Sequence, residues 1–223
     1  MGVEGLRPLD APQLVRDRAA EEVRNAIISG RLAPGTRLVE RELCAAMGIS
    51  RASVREIVRR LEAERLIEVE PHRGPVVRAL SRRQASEIYE IRAMLESLLI
   101  RRFTERASEA EIAALREVFA EVKAAAKQQQ GGPERILGLM QRFYAHLMAV
   151  AQHEAACEIL EGLNARISWL RLRAMAKPGR IEASLMEIGA VLEAVSRRDA
   201  AVAAALMQRS TENACQAALE QIG

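Results

Sequence analysis

Residues 48–70 read GISRASVREIVRRLEAERLIEVE, and this stretch decides the fold of the N-terminal part of the chain. Ser50 can accept a hydrogen bond from the free N–H groups at the start of a helix, so it is a predicted N-cap. Apolar residues then repeat at the spacing of one buried helical stripe: Val54, Ile57, Val58 and Leu61. Arginines fall one turn apart on a different face: Arg51, Arg55 and Arg59. Such a helix suits the major groove of DNA, which is about 12 Å wide and where arginine can bond two acceptors of guanine.

The flanking segments predict the rest of a helix-turn-helix and a β-hairpin. Residues 40–47 (ERELCAAM) form a short predicted helix that ends at Gly48, because glycine adopts the left-handed conformation at little cost. Downstream, LIEVE and PVVRAL are short runs joined by residues 71–74, which predicts a hairpin, or wing. A helical hairpin followed by an unrelated β-hairpin is the alternative. The order of turn, cap, stripe, arginine row and wing favours a DNA-binding domain.

Residues 28–77 resemble the winged helix-turn-helix of the GntR family of bacterial repressors. The motifs that carry the resemblance are PGTRL, ERELC, SRASVRE and the glycine-bearing wing, and they follow one another without a gap. One departure is Arg65, which stands where the family usually has glycine before a Leu-Val or Leu-Ile pair. This departure is expected to affect how the recognition helix ends.

The resemblance places the DNA contacts on six residues: Arg41, Ser50, Arg51, Arg55, Arg73 and Gly74. Arg51 and Arg55 would reach base edges from the start of the recognition helix, and Arg41 a base or a phosphate. Ser50 and the adjacent amides would bind phosphate, and Gly74 would let the wing backbone approach the minor groove. For any single arginine, a solvated surface charge is the alternative. Three more arginines stay open between these two interpretations: Arg37, Arg59 and Arg60.

Composition limits the remaining function classes. The 223 residues allow one or two domains, and 49% hydrophobic with 28% charged residues is typical of a soluble globular protein. The net charge of +3 is compatible with nucleic acid, but the basic signal is local to the arginine row. The three cysteines are scattered and indicate neither a disulfide framework nor a metal set. Without an apolar run of membrane-spanning length or a signal-peptide pattern, the expected location is the cytoplasm and no membrane contact is expected.

After Leu80 the β signals stop, so we predict a DNA-binding domain at 1–80 and a helical domain at 81–223. Ser108 and Glu111 form a predicted capping box that starts one helix. Predicted breaks lie at three short segments: residues 131–133, 153–154 and 177–179. The pattern gives six helices in an antiparallel bundle. The predicted fold is therefore mainly α, with a small β-hairpin wing.

The segment EIYEIRAMLE, following a winged domain, resembles the FCD subclass of GntR regulators, named for the FadR C-terminal domain. Six helices are closer to its VanR-like branch than to the seven-helix branch. The resemblance implies a ligand pocket inside the bundle and an effector that alters DNA affinity.

Many FCD proteins bind a divalent metal through an Asp-x-x-x-His pair and two later histidines. In this chain the resemblance places those four positions at Met140, Tyr144, Ile188 and Ser210. A thioether, a phenol, an alkyl group and a hydroxyl do not form a tight site for Zn, Ni or Mn. No metal and no other cofactor are therefore expected, and the pocket is expected to be partly apolar.

The resemblance also directs Arg92 into the cavity, where a buried arginine needs either Glu96 or a ligand anion as partner. Both partners stay open from the sequence. The predicted effector-binding set has seven members: Arg92, Met140, Tyr144, Asn164, Arg173, Ile188 and Ser210. Further candidates lie on facing helices: Arg142, Arg166 and Arg171.

These features predict a homodimeric transcriptional regulator, most simply a repressor, that reads an inverted repeat in double-stranded DNA. A small organic effector, with carboxylates as one candidate class, would modulate DNA binding. A metal-responsive regulator and a non-specific architectural DNA binder are the alternatives. An enzyme is not expected, because the sequence contains no Ser-His-Asp or Cys-His set, phosphate loop or HExxH motif.

Overall fold

A computed structural model describes residues 12–128 and 132–222 of the chain. The chain divides into two compact units between Ala79 and Leu80. This division lies one residue before the predicted boundary. Among the described residues, no helix is both long and apolar enough to cross a membrane.

In its described residues, the first unit contains three helices followed by a two-stranded antiparallel sheet. Its elements are α1 (Pro12–Ile28), α2 (Glu40–Met47), α3 (Arg51–Ala63), β1 (Ile67–Glu70) and β2 (Gly74–Val77). Ile67 pairs with Val77 at one end of the sheet and Glu70 with Gly74 at the other. The predicted wing is therefore present.

Local signals position α3 as the sequence predicts. Gly48 ends α2 in the left-handed conformation, with φ of 64°. Ser50 accepts a hydrogen bond from the backbone N–H of Ser53 at 3.1 Å. Buried residues of α3 form the core-facing stripe: Val54, Ile57 and Leu61. Another face of α3 carries the exposed arginines Arg51, Arg55 and Arg59.

Helix α1 packs against α3, and the sequence analysis did not assign it. Its buried face is made mainly of small residues, Ala19, Ala20, Val23, Ala26 and Ile27. Ion pairs border this contact, since Arg16 bonds Glu56 at 2.9 Å and Arg24 bonds Glu64 at 2.8 Å. Helix α1 therefore holds the back of the recognition helix.

The second unit is entirely helical in its described residues. Its helices are α4 (Arg82–Arg106), α5 (Glu109–Lys127), α6 (Gly132–Ala151), α7 (Glu154–Arg166), α8 (Ser168–Met175), α9 (Arg180–Ser196) and α10 (Ala200–Leu219). The long helix α4 packs against α6, α7 and α10. The predicted capping box of Ser108 and Glu111 is present at the start of α5. The first predicted break, residues 131–133, includes Gly131, which lies outside the described residues.

The number of helices corrects the prediction of six, because seven are present among the described residues of this unit. The predicted fourth helix is divided at Ile167, whose φ and ψ are −106° and 7°. Ser168 stabilises the break by donating to the carbonyl of Ala165 at 2.8 Å. Ile167 is fully buried, so packing fixes a break that has no glycine or proline. Helix count therefore does not favour the VanR-like branch.

Candidate DNA-binding face and effector pocket

The predicted DNA contacts lie on α2, at the start of α3 and at the turn of the wing. Arg41, Ser50, Arg51 and Arg55 are all exposed. Arg55 donates through Nε to Glu40 at 3.4 Å, and its two terminal nitrogens make no bond within the described residues. The guanidinium can therefore present both terminal nitrogens to a base edge.

The wing presents its predicted residues at the hairpin turn. Gly74 has φ of 81°, and this left-handed conformation explains the glycine. Arg73 contacts Glu70 at 3.1 Å and the carbonyl of Gly35 at 3.1 Å. Arg73 is therefore held on the hairpin, and a phosphate would have to compete with Glu70 for it.

The structure shows different surroundings for the three arginines whose role, DNA contact or surface charge, the sequence left open. Arg60 donates to Asp17 and Glu21 of α1, both at 3.2 Å, so it belongs to the face that packs on α1. Arg59 and Arg37 are exposed, and the backbone of Arg37 bridges to Val76 of the wing. Of these three arginines, Arg60 is the one that forms ion pairs with other side chains of the described residues.

A cavity of about 60 Å³ lies inside the second unit, between α4, α6, α8, α9 and α10. Five of the seven predicted effector residues line it: Arg92, Met140, Tyr144, Ile188 and Ser210. The four residues that the resemblance places at the family's metal-ligand positions thus surround one cavity, together with Arg92. The volume allows a few water molecules or a small organic group.

The other two predicted effector residues do not line the cavity. Arg173 is exposed, and its guanidinium stacks over the Trp169 ring at 4.8 Å. Asn164 is not among the lining residues, and its Oδ1 accepts from Arg171 Nη1 at 3.5 Å. The arginine of α8 that lines the cavity is Arg171, two residues before the predicted Arg173.

Glu96 is the centre of a buried polar network that joins three helices. It accepts from Arg92 Nη2 at 2.6 Å, from the Tyr144 hydroxyl at 3.0 Å and from Thr211 Oγ1 at 2.8 Å. Burial raises the pKa of Tyr144, so its hydroxyl remains a donor at neutral pH. The Arg92–Glu96 ion pair that the sequence left open is therefore present.

Glu96 does not satisfy the whole of Arg92. Arg92 is 3% exposed, and its Nε and Nη1 have no hydrogen-bond partner among the described residues. The guanidinium lies 4.8 Å from the centre of the Tyr89 ring. A buried cation with two free donors can accept an additional anionic partner.

A second ionic cluster borders the cavity near the start of α9. Arg180 bonds both carboxylate oxygens of Glu187, at 3.1 and 3.2 Å. Ser210 donates to Glu187 at 3.1 Å, and Asn213 donates to it at 2.9 Å. The Ser210 hydroxyl is thus occupied by an internal acceptor.

The lining does not fit a transition metal. Met140, Tyr144, Ile188 and Ser210 supply no carboxylate or imidazole at the family's ligand positions. Within residues 12–128 and 132–222, no group of three or more His, Cys, Asp or Glu residues is placed to hold a metal ion. His146 Nε2 lies 3.0 Å from the Glu111 carbonyl, and His153 caps α7, so both histidines have structural contacts.

Sequence reasoning named Arg171 only as a further candidate, and it missed other residues that line the cavity, among them Tyr89, Arg180 and Thr211. Tyr89 lies one turn before Arg92, and Thr211 directly follows Ser210, so their proximity along the helices was the available signal. To identify Arg171 as the arginine of α8 that lines the cavity, one has to know the direction in which α8 runs after the break at Ile167. That direction is set by tertiary packing.

Comparison with known proteins gives the class of this chain. Residues 15–77 match the bacterial regulatory proteins of the gntR family, and residues 87–213 match the FCD domain. The chain therefore belongs to the GntR-family transcriptional regulators that carry an FCD domain, as the sequence motifs predicted. The family and the relatives described next are regulators, not enzymes.

Individual relatives match most of the chain. The uncharacterized HTH-type transcriptional regulator YdhC of Bacillus subtilis is 27% identical over 191 residues, which is 86% of this chain and 85% of YdhC. The Nta operon transcriptional regulator of Aminobacter aminovorans is 30% identical over 144 residues, covering 65% of this chain and 67% of that protein. The structure of E. coli McbR/YncC has the same fold, with a TM-score of 0.78 at 21% identity over 94% of this chain and 99% of that one.

Proposed function

We propose that this chain is a homodimeric, sequence-specific transcriptional repressor of the bacterial cytoplasm, whose DNA affinity is modulated by a small organic anion. The observation that carries DNA reading is the exposed pair Arg51 and Arg55 at the capped start of α3. Two arginines one turn apart at the start of a helix can both reach base edges when that end of the helix lies in a major groove. A dimer covering an inverted repeat would block access of other proteins to that DNA.

The exposed apolar residues of α4 support the dimer. Ile91, Met94 and Leu98 lie on one face of α4, and Ile159 is exposed on α7, which packs against α4. Apolar side chains that share a helix face commonly mark a protein interface. Two copies related by a two-fold axis would each bury this apolar face, defined as Ile91, Met94, Leu98 and Ile159.

The cavity supports the effector. It is lined by a buried arginine with unpartnered donors, a tyrosine hydroxyl and apolar side chains, which is the usual composition of a small-molecule site. Its helices include α4, which also carries the apolar face. A ligand that reorganised α4 would therefore act on the same helix that joins the two copies.

Selection of binding sites from random duplex DNA tests the proposed DNA reading. We expect enrichment of an inverted repeat, and a binding constant for that sequence about 10³-fold or more above that for random duplex at the same salt concentration. A non-specific architectural protein would instead bind all duplexes alike, with the same steep salt dependence. Failure to enrich any sequence would contradict the proposal.

A further inference from the structure

The first residue of α2 contacts one of the two arginines that we expect to read DNA. Glu40 Oε1 accepts a hydrogen bond from Arg55 Nε at 3.4 Å, and the pair is a salt bridge between α2 and α3. Arg51, one turn earlier on α3, makes no bond with its side chain in the part of the chain that the structure describes. The two exposed arginines therefore differ, because Arg55 has an acidic partner there and Arg51 has none.

The backbone just before Glu40 is held by the wing and by the core of the first unit. Leu38 is 3% exposed, and its N–H donates to the carbonyl of Pro75 at 2.8 Å. Helix α2, which begins at Glu40, packs against α3. A carboxylate in the first turn of a helix is also stabilised by the helix dipole. Glu40 therefore extends from a fixed position, and a side chain on a rigid element can orient its neighbour.

The bond to Glu40 decides which edge of the Arg55 guanidinium is free. A guanidinium can offer two parallel donors either from Nε and one terminal nitrogen or from its two terminal nitrogens. Since Glu40 occupies Nε, the edge with Nη1 and Nη2 is left for DNA. Guanine presents the acceptors O6 and N7 side by side in the major groove and fits such an edge, whereas adenine presents N7 beside a donor amino group.

The carboxylate of Glu40 also offsets the attraction of Arg55 to phosphate. An unpaired arginine binds any phosphate, and such contacts raise the affinity for every sequence alike. With Glu40 beside it, the Arg55 guanidinium keeps its terminal donors for a base edge but loses part of its net charge. The pair is partly exposed in the free protein, where such ion pairs contribute little to stability. Contact with DNA would remove water from the pair and strengthen it.

We propose that Glu40 is a positioning residue for DNA recognition. It holds Arg55 by Nε, directs the opposite edge of the guanidinium to a guanine, and disfavours contact of Arg55 with phosphate. The inference rests on the proposed reading of DNA by α3 and adds the residue that makes Arg55 selective for one base. Glu40 acts through Arg55 and does not contact DNA itself.

A second acidic residue of the same helical turn provides a matched control. Glu42 is exposed, lies in the first turn of α2 beside the predicted DNA contact Arg41, and forms no side-chain bond among the described residues. Removal of either carboxylate takes one negative charge away from the expected DNA-binding face. Electrostatics alone would therefore strengthen the binding of every duplex in both variants. A difference between the two variants must come from the contact with Arg55.

The readout is the ratio of two binding constants, one for the sequence selected from random duplex and one for random duplex itself. Glu40→Ala should lower this ratio by about tenfold or more and relax the preference at the guanine whose recognition Arg55→Ala also abolishes. Glu40→Gln keeps an acceptor for Nε and should give an intermediate ratio. Glu42→Ala and Glu42→Gln should leave the ratio unchanged. Retained affinity for random duplex shows that a variant is folded, and equal ratios for Glu40→Ala and Glu42→Ala would overturn the proposal.

Combined variants separate positioning from direct base contact. If Glu40 acts through Arg55, the variant Glu40→Ala/Arg55→Ala should bind the selected sequence as Arg55→Ala does, because the two effects are not additive. In the Arg51→Ala background, Glu40→Ala should still lower the ratio. A carboxylate that accepted directly from a cytosine amino group would lower the affinity further in the Arg55→Ala background and would change the preference at a different base pair. That result would contradict the positioning role.

The wild-type selection distinguishes failure of this inference from failure of the proposed function. A wild-type protein that enriches no sequence contradicts the reading of DNA itself. If an inverted repeat is enriched and its preference depends on Arg55 but not on Glu40, the proposed function stands and this inference is wrong. If Arg55→Ala leaves the preference at every base unchanged, the inference is wrong as well, because Arg55 then has no base to be directed to.

Discussion

Arg65 occupies a backbone conformation that arginine adopts only at a cost. Its φ is +58°, directly after the C-cap Glu64 of α3. The N–H groups of Arg65 and Leu66 bond back to the carbonyls of Glu62 and Leu61, which is the pattern of a Schellman motif. Glycine is the usual residue at this position, because it has no Cβ to clash with the backbone. Arginine in place of the family's usual glycine is therefore held in a left-handed backbone conformation at the end of α3.

Arg65→Gly should stabilise the first unit. Relief of the left-handed strain exceeds the added flexibility of glycine in the unfolded chain, so we expect a gain of about 0.5–1 kcal/mol in the free energy of unfolding. Arg59→Gly, in the helical interior of α3, should instead destabilise by about 1 kcal/mol. Differential scanning calorimetry measures both. An unchanged or lower melting temperature for Arg65→Gly would show that the strain is absent.

Arg51 and Arg55 are the residues on which we expect base recognition to depend. Arg51→Ala and Arg55→Ala should each weaken operator binding by about 1–3 kcal/mol and relax the sequence preference at the contacted base. Both side chains lie outside the buried stripe, so circular dichroism should show an unchanged helix content. Arg60→Ala, on the α1-facing side of the same helix, should have a smaller effect on binding. Wild-type operator affinity in both variants would show that another face of the protein reads DNA.

Elements with local chemical signals were predictable from the sequence. The cap at Ser50, the left-handed Gly48 and the turn before Gly74 each depend on neighbours within a few residues. Helix α1 was not assigned, because alanines dominate its buried face and give a weak periodic signal. The break at Ile167 was missed as well, since a buried isoleucine carries no stop signal. The resemblance to the family predicted a cavity inside the helical unit. Which arginine of α8 lines that cavity, Arg171 or Arg173, depends on the break at Ile167.

The Arg92–Glu96 pair on α4 sets the stability of the polar network. Arg92→Met leaves the buried Glu96 carboxylate without its cation, which should cost about 3–5 kcal/mol of stability. In Arg92→Met/Glu96→Gln the charge is gone from both residues, while the amide oxygen still accepts from Tyr144 and Thr211. We therefore expect the double variant to regain much of the loss in chemical denaturation. A double variant as unstable as Arg92→Met would show that the destabilisation does not come from an unpaired charge.

At the scale of the whole molecule, the chain combines a winged helix-turn-helix unit with a helical unit that contains a cavity. Each unit is compact by itself, and each matches its own family model, the first the gntR family and the second the FCD domain. A single recognition helix contacts only a few base pairs, so selective binding depends on two copies acting on one operator. The apolar face of α4 and α7 is therefore as important for the proposed function as the arginines of α3.

The oligomeric state gives the most direct test at this scale. We expect sedimentation to show a dimer of about 49 kDa, twice the chain mass of 24.6 kDa. Met94 lies on the apolar face and is 62% exposed, so Met94→Lys is solvated in a monomer but places a charge inside the proposed interface. This variant should sediment as a monomer with an unchanged circular dichroism spectrum and should lose most of its operator affinity.

Met186→Lys is the matched control for the dimer prediction. Met186 is 72% exposed on α9 and lies outside the apolar face, so the same substitution there should leave the dimer and its operator affinity intact. The comparison separates the effect of an interface charge from that of an added lysine, which alone would strengthen attraction to DNA. If Met94→Lys remained a dimer with wild-type affinity, the interface would have to lie on another surface. If the wild-type protein were a monomer with full operator affinity, the two-copy reading of DNA would be wrong.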